Sequence, residues 1–451
     1  MNLAKRFSCL MPAPSKLANN YPKTFKENKR INLNGSIRLN PKRIIFVIIF
    51  LALFCFGFIF SIISYFTYRA ALLSLLVLPL FLFYRSKFDR VTIAYVLLFF
   101  FILLSGILNK SSLTNVFLFM RVLVFSYLIY FLVTITLTPT FIVKVIKVSV
   151  WIAMIQLPIM LLQWQLYDHL PLRLRGTARI VDFGSGTFTY KTDYAMVFFL
   201  TMIVIFLLFE DKRNQFVKNR FIKALWLSGT VMVANSQIMK IALLLIWFIY
   251  VIKGINAKKL LIISFGAVIV GGALFLMASK GLITEEITTF VTNLRNTGSV
   301  DTYLSGGYSR TAALRYLVTD GFSWFGAGPS AFSDPLTKTL YRGNTGHSFT
   351  FFSEIGFLGW LVSMLILFVI AFPVRKGKLI VGWSQILIFI SVFILSFTSN
   401  VMNDIGVFFM FCIMCNIVVS PITHLGSLVT SLPNKKQLMP SSNGNNVPGD
   451  N

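Results

Sequence analysis

Between Ile44 and Phe66 the chain runs for 23 residues without a charged side chain. A helix of about 20 apolar residues crosses the roughly 30 Å hydrocarbon core of a bilayer, so this run is suited to lipid and poorly suited to water. Similar runs recur at 70–84, 91–108, 116–137, 141–163, 194–209, 221–237, 239–252, 260–278, 349–372, 379–398 and 405–421, an expectation of twelve spans. The pair 221–237 and 239–252 is open to a second reading, as one re-entrant segment. None of the runs alternates with a period of two, so the expected fold class is an all-α polytopic membrane bundle and not a barrel. Over the 451 residues, 13% are charged and 56% hydrophobic, whereas a soluble domain is about a quarter charged. That balance excludes a cytosolic enzyme, a disulfide scaffold and a disordered chain.

The 42 Lys and Arg outnumber the 15 Asp and Glu to give a net charge of +27, which would suggest nucleic acid if the cations were spread evenly. They are not. With the N-terminus in the cytoplasm and twelve spans threaded, 28 of the 42 fall on the inner side, ten of them in residues 1–43. Twelve fall outside, Arg121 and Lys240 fall within spans, and ten of the 15 acids fall outside. This is the cation asymmetry of a plasma-membrane protein with both termini cytoplasmic, and it leaves no case for a nucleic-acid partner. The expected organisation is a basic inner tail at 1–43 that lies on membrane lipids, spans one to five in 44–163 and an outer loop at 164–193. Spans six to nine follow in 194–278, then a large outer loop at 279–346, spans ten to twelve in 347–422 and a polar cytoplasmic tail at 423–451. Three of the four cysteines (Cys55, Cys412 and Cys415) lie in spans and read as packing residues.

Loops this long are functional more often than connective, and 279–346 carries the densest chemistry. Ser309 to Gly321 reads as a short helix with Ser309 as its cap and Gly321 as its stop, bearing Arg310 and Arg315. Trp324-Phe325-Gly326-Ala327-Gly328-Pro329 reads as a tight turn whose two glycines permit close backbone approach. His347 then heads the tenth span, with Glu354, Gly356 and Gly359 behind it. His347 and Glu354 are seven residues apart, so on one straight helix they share a face about 10 Å apart along the axis, His347 at the membrane surface and Glu354 deeper.

This set of residues resembles the O-antigen ligase and polysaccharide polymerase superfamily of inner-membrane glycosyltransferases. The resemblance rests on an Arg-led helix (Arg310), the Phe325-Gly326-Ala327-Gly328 turn, His347 at the head of a span, and Glu354-Ile355-Gly356 with Gly359. A second block, Gly186-Thr187-Phe188 through Tyr194-Ala195, is similar to the Gly-x-Phe block that the family places before a span. The match covers roughly 180–370. It departs at Ser236-Gln237, where many members carry Ser-Arg; here Lys240 follows three residues later.

The resemblance implies a GT-C-like fold and a bacterial inner-membrane enzyme that takes a polyprenyl-diphosphate-linked oligosaccharide donor and a glycan acceptor. It implies no metal and no cofactor, and as further partners a chain-length regulator and a flippase. A departing diphosphate needs fixed positive charge, which the arginine fork supplies bidentately; Arg310, Arg315, Arg179 and Lys240 are the expected contacts. A hydroxyl acceptor needs a base, and histidine, with an ordinary pKa of about 6.5, suits that task; His347 is the expected base and Arg310 its catalytic companion. Glu354, Gly326, Gly328 and Gly356 are the expected structural support. A polymerase is the first reading and a ligase acting on lipid A-core the alternative, with a lipid-linked oligosaccharide flippase from a different class. The plain rivals are His347 as a helix cap, Lys240 reaching outward to the interface, and Glu354 as a hydrogen-bonding group in the bundle.

Overall fold

The computed structural model describes residues 40–64, 72–84, 89–169, 184–189, 193–210, 217–234, 236–253, 323–331, 346–375 and 378–420. The expected ninth span, the two tails, most of the 279–346 loop with its short helix, and Arg179, Arg310 and Arg315 lie outside the described residues.

In hydrocarbon the backbone has no water to bond, so apolar runs close their hydrogen bonds within themselves as helices. The described helices are α1 Pro41–Phe54, α2 Gly57–Ser64, α3 Leu78–Phe83 behind a π-helical turn Leu73–Val77, α4 Arg90–Leu108, α5 Leu113–Thr136, α6 Pro139–Met154 and α7 Gln156–Leu166. They continue with α8 Asp193–Phe209, α9 Arg220–Val233, α10 Gln237–Ile252, α11 His347–Thr350, α12 Gly356–Ala371, α13 Trp383–Ser396 and α14 Ile405–Val419. A two-residue ladder, Val374–Arg375 against Lys378–Leu379, joins α12 to α13. The starts are set by local chemistry: Asp89 and Ser112 cap α4 and α5, Asp404 caps α14, and Pro139 opens α6. Among the described residues, four helical stretches have the length and apolar composition to cross a membrane: Arg90–Leu108, Leu113–Thr136, Pro139–Leu166 and His347–Ala371, the last of them bent back at Gly356. Leu82, Phe83, Ile107, Leu113 and Trp151 face outward, an exterior suited to lipid.

Charged ends mark one rim. Lys42 Nζ lies 3.7 Å from the centre of the Tyr84 ring, Arg43 donates to Thr138 Oγ1 at 3.1 Å, and Tyr130 Oη donates to Asp89 Oδ2 at 2.6 Å. Those contacts gather the starts of α1, α4 and α6. The same rim continues through Lys253 over Phe209 and Ser384 donating to Glu210 Oε1, which join the ends of α8 and α10 to the start of α13. From this rim α1, α6, α8, α10, α13 and α14, each of 14 to 17 residues, rise roughly 20–25 Å. The 19 residues of α4 and 24 of α5 rise about 28 and 36 Å. A phenylalanine cluster of Phe46, Phe50, Phe54, Phe188, Phe199 and Phe409 fills the centre.

Three spans differ from the sequence reading. The run 44–66 is interrupted at Cys55-Phe56, and the 141–163 span is interrupted at Ile155. The 349–372 span is folded back on itself. Residues 221–237 and 239–252 form two helices: Trp247 Nε1 donates to Ser228 Oγ at 2.9 Å while Phe221 packs on Tyr250, a pairing that only an antiparallel hairpin allows.

Candidate functional site

His347 Nε2 and Ser363 Oγ are 3.2 Å apart, although 16 residues of straight helix would separate them by about 24 Å. The rings of Phe352 and Trp360, eight residues apart, have centroids 6.2 Å apart. The chain therefore reverses between them. α11 and a π-helical turn, Phe351–Ile355, climb to Gly356, whose φ of 85° and ψ of −175° turn the chain down into α12. A φ of this sign is open to glycine and strained for other residues. Glu354 consequently sits at the apex of a helical hairpin and His347 about two turns below it, the reverse of the expected order along a single straight helix.

The apex is held by the glycine turn. A reversal frees backbone groups that must find partners, and the turn at 323–331 supplies them. Ala327 N–H donates to Ser353 O and Gly328 N–H to Glu354 O, both at 2.8 Å, while Phe357 N–H donates to Ser323 O at 3.0 Å. Gly326 and Gly356 lie so close that a methyl group on either would meet the other's backbone. The Ser105 hydroxyl on α4 lies 2.6 Å from Phe325 O and 3.2 Å from Glu354 O. Glu354 is fully buried, and its Oε2 accepts the Ser330 N–H at 2.9 Å. Gly328, at φ 105°, passes against Ser111 and Asn109 at the end of α4. Gly326, Gly328, Glu354 and Gly356 are thus parts of one clamp.

His347 hangs from that clamp and is also fully buried. Its backbone N–H donates to Ser399 O at 3.0 Å, its ring packs on Phe351 at 4.3 Å between centroids, and its Nδ1 lies 3.3 Å from Asn400 Oδ1. Ser348 Oγ meets Ser396 Oγ at 2.6 Å. These contacts bring the head of α11 to the turn between α13 and α14.

A second turn reaches the same level. At the interruption of the first span, Thr187 Oγ1 donates to Phe54 O and Thr187 O accepts from Phe58 N–H. Two glutamines on the fifth span grip this turn. Gln156 Oε1 accepts the Thr187 N–H at 2.9 Å, and Gln163 makes both bonds to the Gly186 backbone, at 2.6 and 2.8 Å. Tyr194 Oη donates to Asp404 Oδ2 at 2.8 Å, tying the start of α8 to the cap of α14. Lys240, half-buried in the first turn of α10, lies about 20 Å along the helix from Lys253 at the charged rim. Since α10 packs on α13, whose far end meets Ser348, Lys240 shares the depth of His347.

The structure thus gathers His347, Glu354, Gly326, Gly328 and Gly356 into one unit and puts Lys240 at a matching depth. Arg310, Arg315 and Arg179 fall outside the described residues. Asn400, Ser363, Ser105, Gln156 and Gln163 were not singled out from the sequence. For Ser363, Ser105, Gln156 and Gln163 a signal was present, since a polar side chain inside an apolar span is costly and its presence there is a functional pointer; Asn400, in the turn between α13 and α14, carried none. No protein-family model matches the chain, and neither a curated protein nor a solved structure is detectably similar to it.

Proposed function

We propose that the chain is a metal-independent membrane glycosyltransferase. It joins polyprenyl-diphosphate-linked oligosaccharide repeats into a surface polysaccharide at the outer face of a bacterial inner membrane. The observation that carries this reading is the clamp. The Phe325-Gly326-Ala327-Gly328 and Glu354-Ile355-Gly356 segments, the two halves of the resemblance, interlock backbone to backbone and suspend His347 between α12 and the 399–404 turn.

In this reaction the acceptor hydroxyl oxygen attacks the anomeric carbon of the donor and its proton passes to His347. The bond from that carbon to the diphosphate breaks, and the electron pair leaves on the diphosphate. Such a leaving group needs cations more than a general acid. Lys240 lies at the right depth for this, and Arg310, Arg315 and Arg179 are the arginines the resemblance assigns to it.

A second reading has an observation of its own. Interrupted helices whose freed backbone is capped by a neighbouring turn also form the substrate sites of transporters, and both the first span and the α11–α12 hairpin have this construction. Purified protein in detergent, given only lipid-linked repeats, separates the two readings. Lengthening products support the polymerase and exclude transport as the sole function; their absence from a folded protein overturns the polymerase and leaves the ligase and the flippase. In the same assay His347→Ala and Arg310→Ala are each expected to lower polymer formation by about 100-fold or more at unchanged membrane abundance. Arg310→Lys should recover only part, because lysine lacks the bidentate fork. Undiminished polymer from His347→Ala sinks the base assignment. In cells, loss of chain-length ladders with single repeats retained fits a polymerase, and loss of every repeat from the lipid core fits a ligase.

A further inference from the structure

We propose that Asn400 is the positioning residue that fixes the tautomer of His347, leaving Nε2 as the basic nitrogen with Ser363 as its resting partner. The inference deepens the glycosyl-transfer reading and rests on it only for the identity of the proton donor.

Geometry decides the orientation of the Asn400 amide. Asn400 Oδ1 lies 3.3 Å from the backbone nitrogen of Asn403. A backbone N–H can only donate, so the amide atom facing it must be the oxygen. That same oxygen lies 3.3 Å from His347 Nδ1. An oxygen acceptor requires a proton on Nδ1, and in a neutral imidazole the lone pair then belongs to Nε2. The chain path reinforces the register: His347 N–H donates to Ser399 O, one residue before Asn400, so main chain and side chain of the 399–403 turn hold the histidine together.

Ser363 fits the other nitrogen. Its Oγ is 3.2 Å from Nε2 and 2.7 Å from Trp360 O. The hydroxyl carries one proton and has two acceptors within reach. When it turns toward Nε2 it satisfies a buried lone pair. When an acceptor sugar hydroxyl takes that place, the Ser363 proton returns to Trp360 O and no buried donor is left unpaired. The base is therefore kept satisfied at rest and released without an orphaned group. In the transfer step the sugar hydroxyl proton moves to Nε2 while its oxygen forms the new bond to the anomeric carbon. Nδ1–H goes on donating to Asn400 Oδ1, and that oxygen stabilises the imidazolium.

The test is spectroscopic. The chain has three histidines, so in protein labelled with 15N at histidine the His347 pair is assigned by its disappearance in His347→Gln. At a pH above the ordinary imidazole range the wild type is expected to carry its proton on Nδ1, and a proton on Nε2 overturns the proposal without any variant. In Asn400→Leu the proton is expected to redistribute toward Nε2, with kcat down about tenfold or more and KM within about twofold, since a wrong tautomer removes the base but not the binding contacts. An unchanged tautomer in that variant also overturns the proposal. Ser363→Ala should keep the proton on Nδ1, because Asn400 and not Ser363 sets the tautomer; a proton moved to Nε2 in this variant overturns the assignment of that role to Asn400. If the tautomers behave as stated but wild-type protein elongates no glycan, the polymerase reading fails and the tautomer assignment stands.

Discussion

A methyl group has opposite consequences at Gly356 and at Gly229. Gly229 lies exposed inside α9 with nothing within 4 Å of the position a Cβ would take. There glycine only costs the helix backbone entropy, and Gly229→Ala should stabilise by about 0.5–1 kcal/mol. Gly356 has φ 85°, and its Cβ would run into the Trp324 carbonyl and the Gly326 nitrogen. That positive-φ extended conformation, essentially confined to glycine, alone costs an alanine about 1–3 kcal/mol, and backbone on the far side of the contact cannot swing away as a side chain would. Gly356→Ala should therefore lose more than that amount. Unfolding both variants in one detergent, each against the parent, checks the pair. A Gly356→Ala protein as stable as the parent would show that the clamp bears no strain and does not hold the apex. Glycine spacing made this clamp legible in the sequence. Asn400 was not legible, because nothing local distinguishes an asparagine in a turn between two apolar runs from one facing water.

Helix interruptions matter more here than helix lengths. The 44–66 run reads as one uninterrupted span because hydropathy registers only what a side chain contributes. The break at Cys55-Phe56 is stabilised from elsewhere, by Thr187, whose hydroxyl and carbonyl satisfy Phe54 O and Phe58 N–H. Such a partner lies more than 130 residues along the chain, and no periodicity within the first span reports it. The fold-back at Gly356 escaped for a related reason: 349–372 is apolar throughout, and a hairpin of two short helices has the composition of one long one. Element type and most boundaries were readable because apolar runs in lipid must be helical, whereas direction depends on backbone partners. Thr187→Val tests that dependence. Valine keeps the shape but leaves Phe54 O unsatisfied and removes a partner 2.9 Å from Gln156 Nε2, a loss of about 1–3 kcal/mol. Thr187→Ser, which restores the hydroxyl, should unfold close to the parent. Equal stability of the valine and serine variants would mean that the first-span break does not rely on this turn.

Sidedness tests the function proposed for the clamp. Tyr194 and Asp404 start α8 and α14 together, so these two helices run the same way. α14 runs against α1, since Gly406 lies beside Phe54 while Phe409 packs on Phe46. The end of α8 at Glu210 therefore belongs to the rim of Lys42 and Arg43, and so does Ser384 with the adjoining ladder of Arg375 and Lys378. The clamp at 323–331 meets the opposite ends of α4 and α5 through Ser105 and through Asn115 O, 3.3 Å from Ser330 Oγ. Cations gather at cytoplasmic ends, and the proposed function requires the clamp to lie at the opposite, outer face, where a lipid-linked repeat would be displayed. Single cysteines turn this into a measurement. With Cys9→Ser removing the cysteine that lies outside the spans, Ala331→Cys marks the clamp and Val381→Cys marks the charged rim, both at exposed positions. A membrane-impermeant maleimide applied to intact cells whose outer membrane admits it should label Ala331→Cys and should reach Val381→Cys only after the inner membrane is opened. The reverse pattern would put the clamp and His347 on the cytoplasmic side, where the diphosphate-linked repeats are built, and a polymerase of displayed repeats could not work from there.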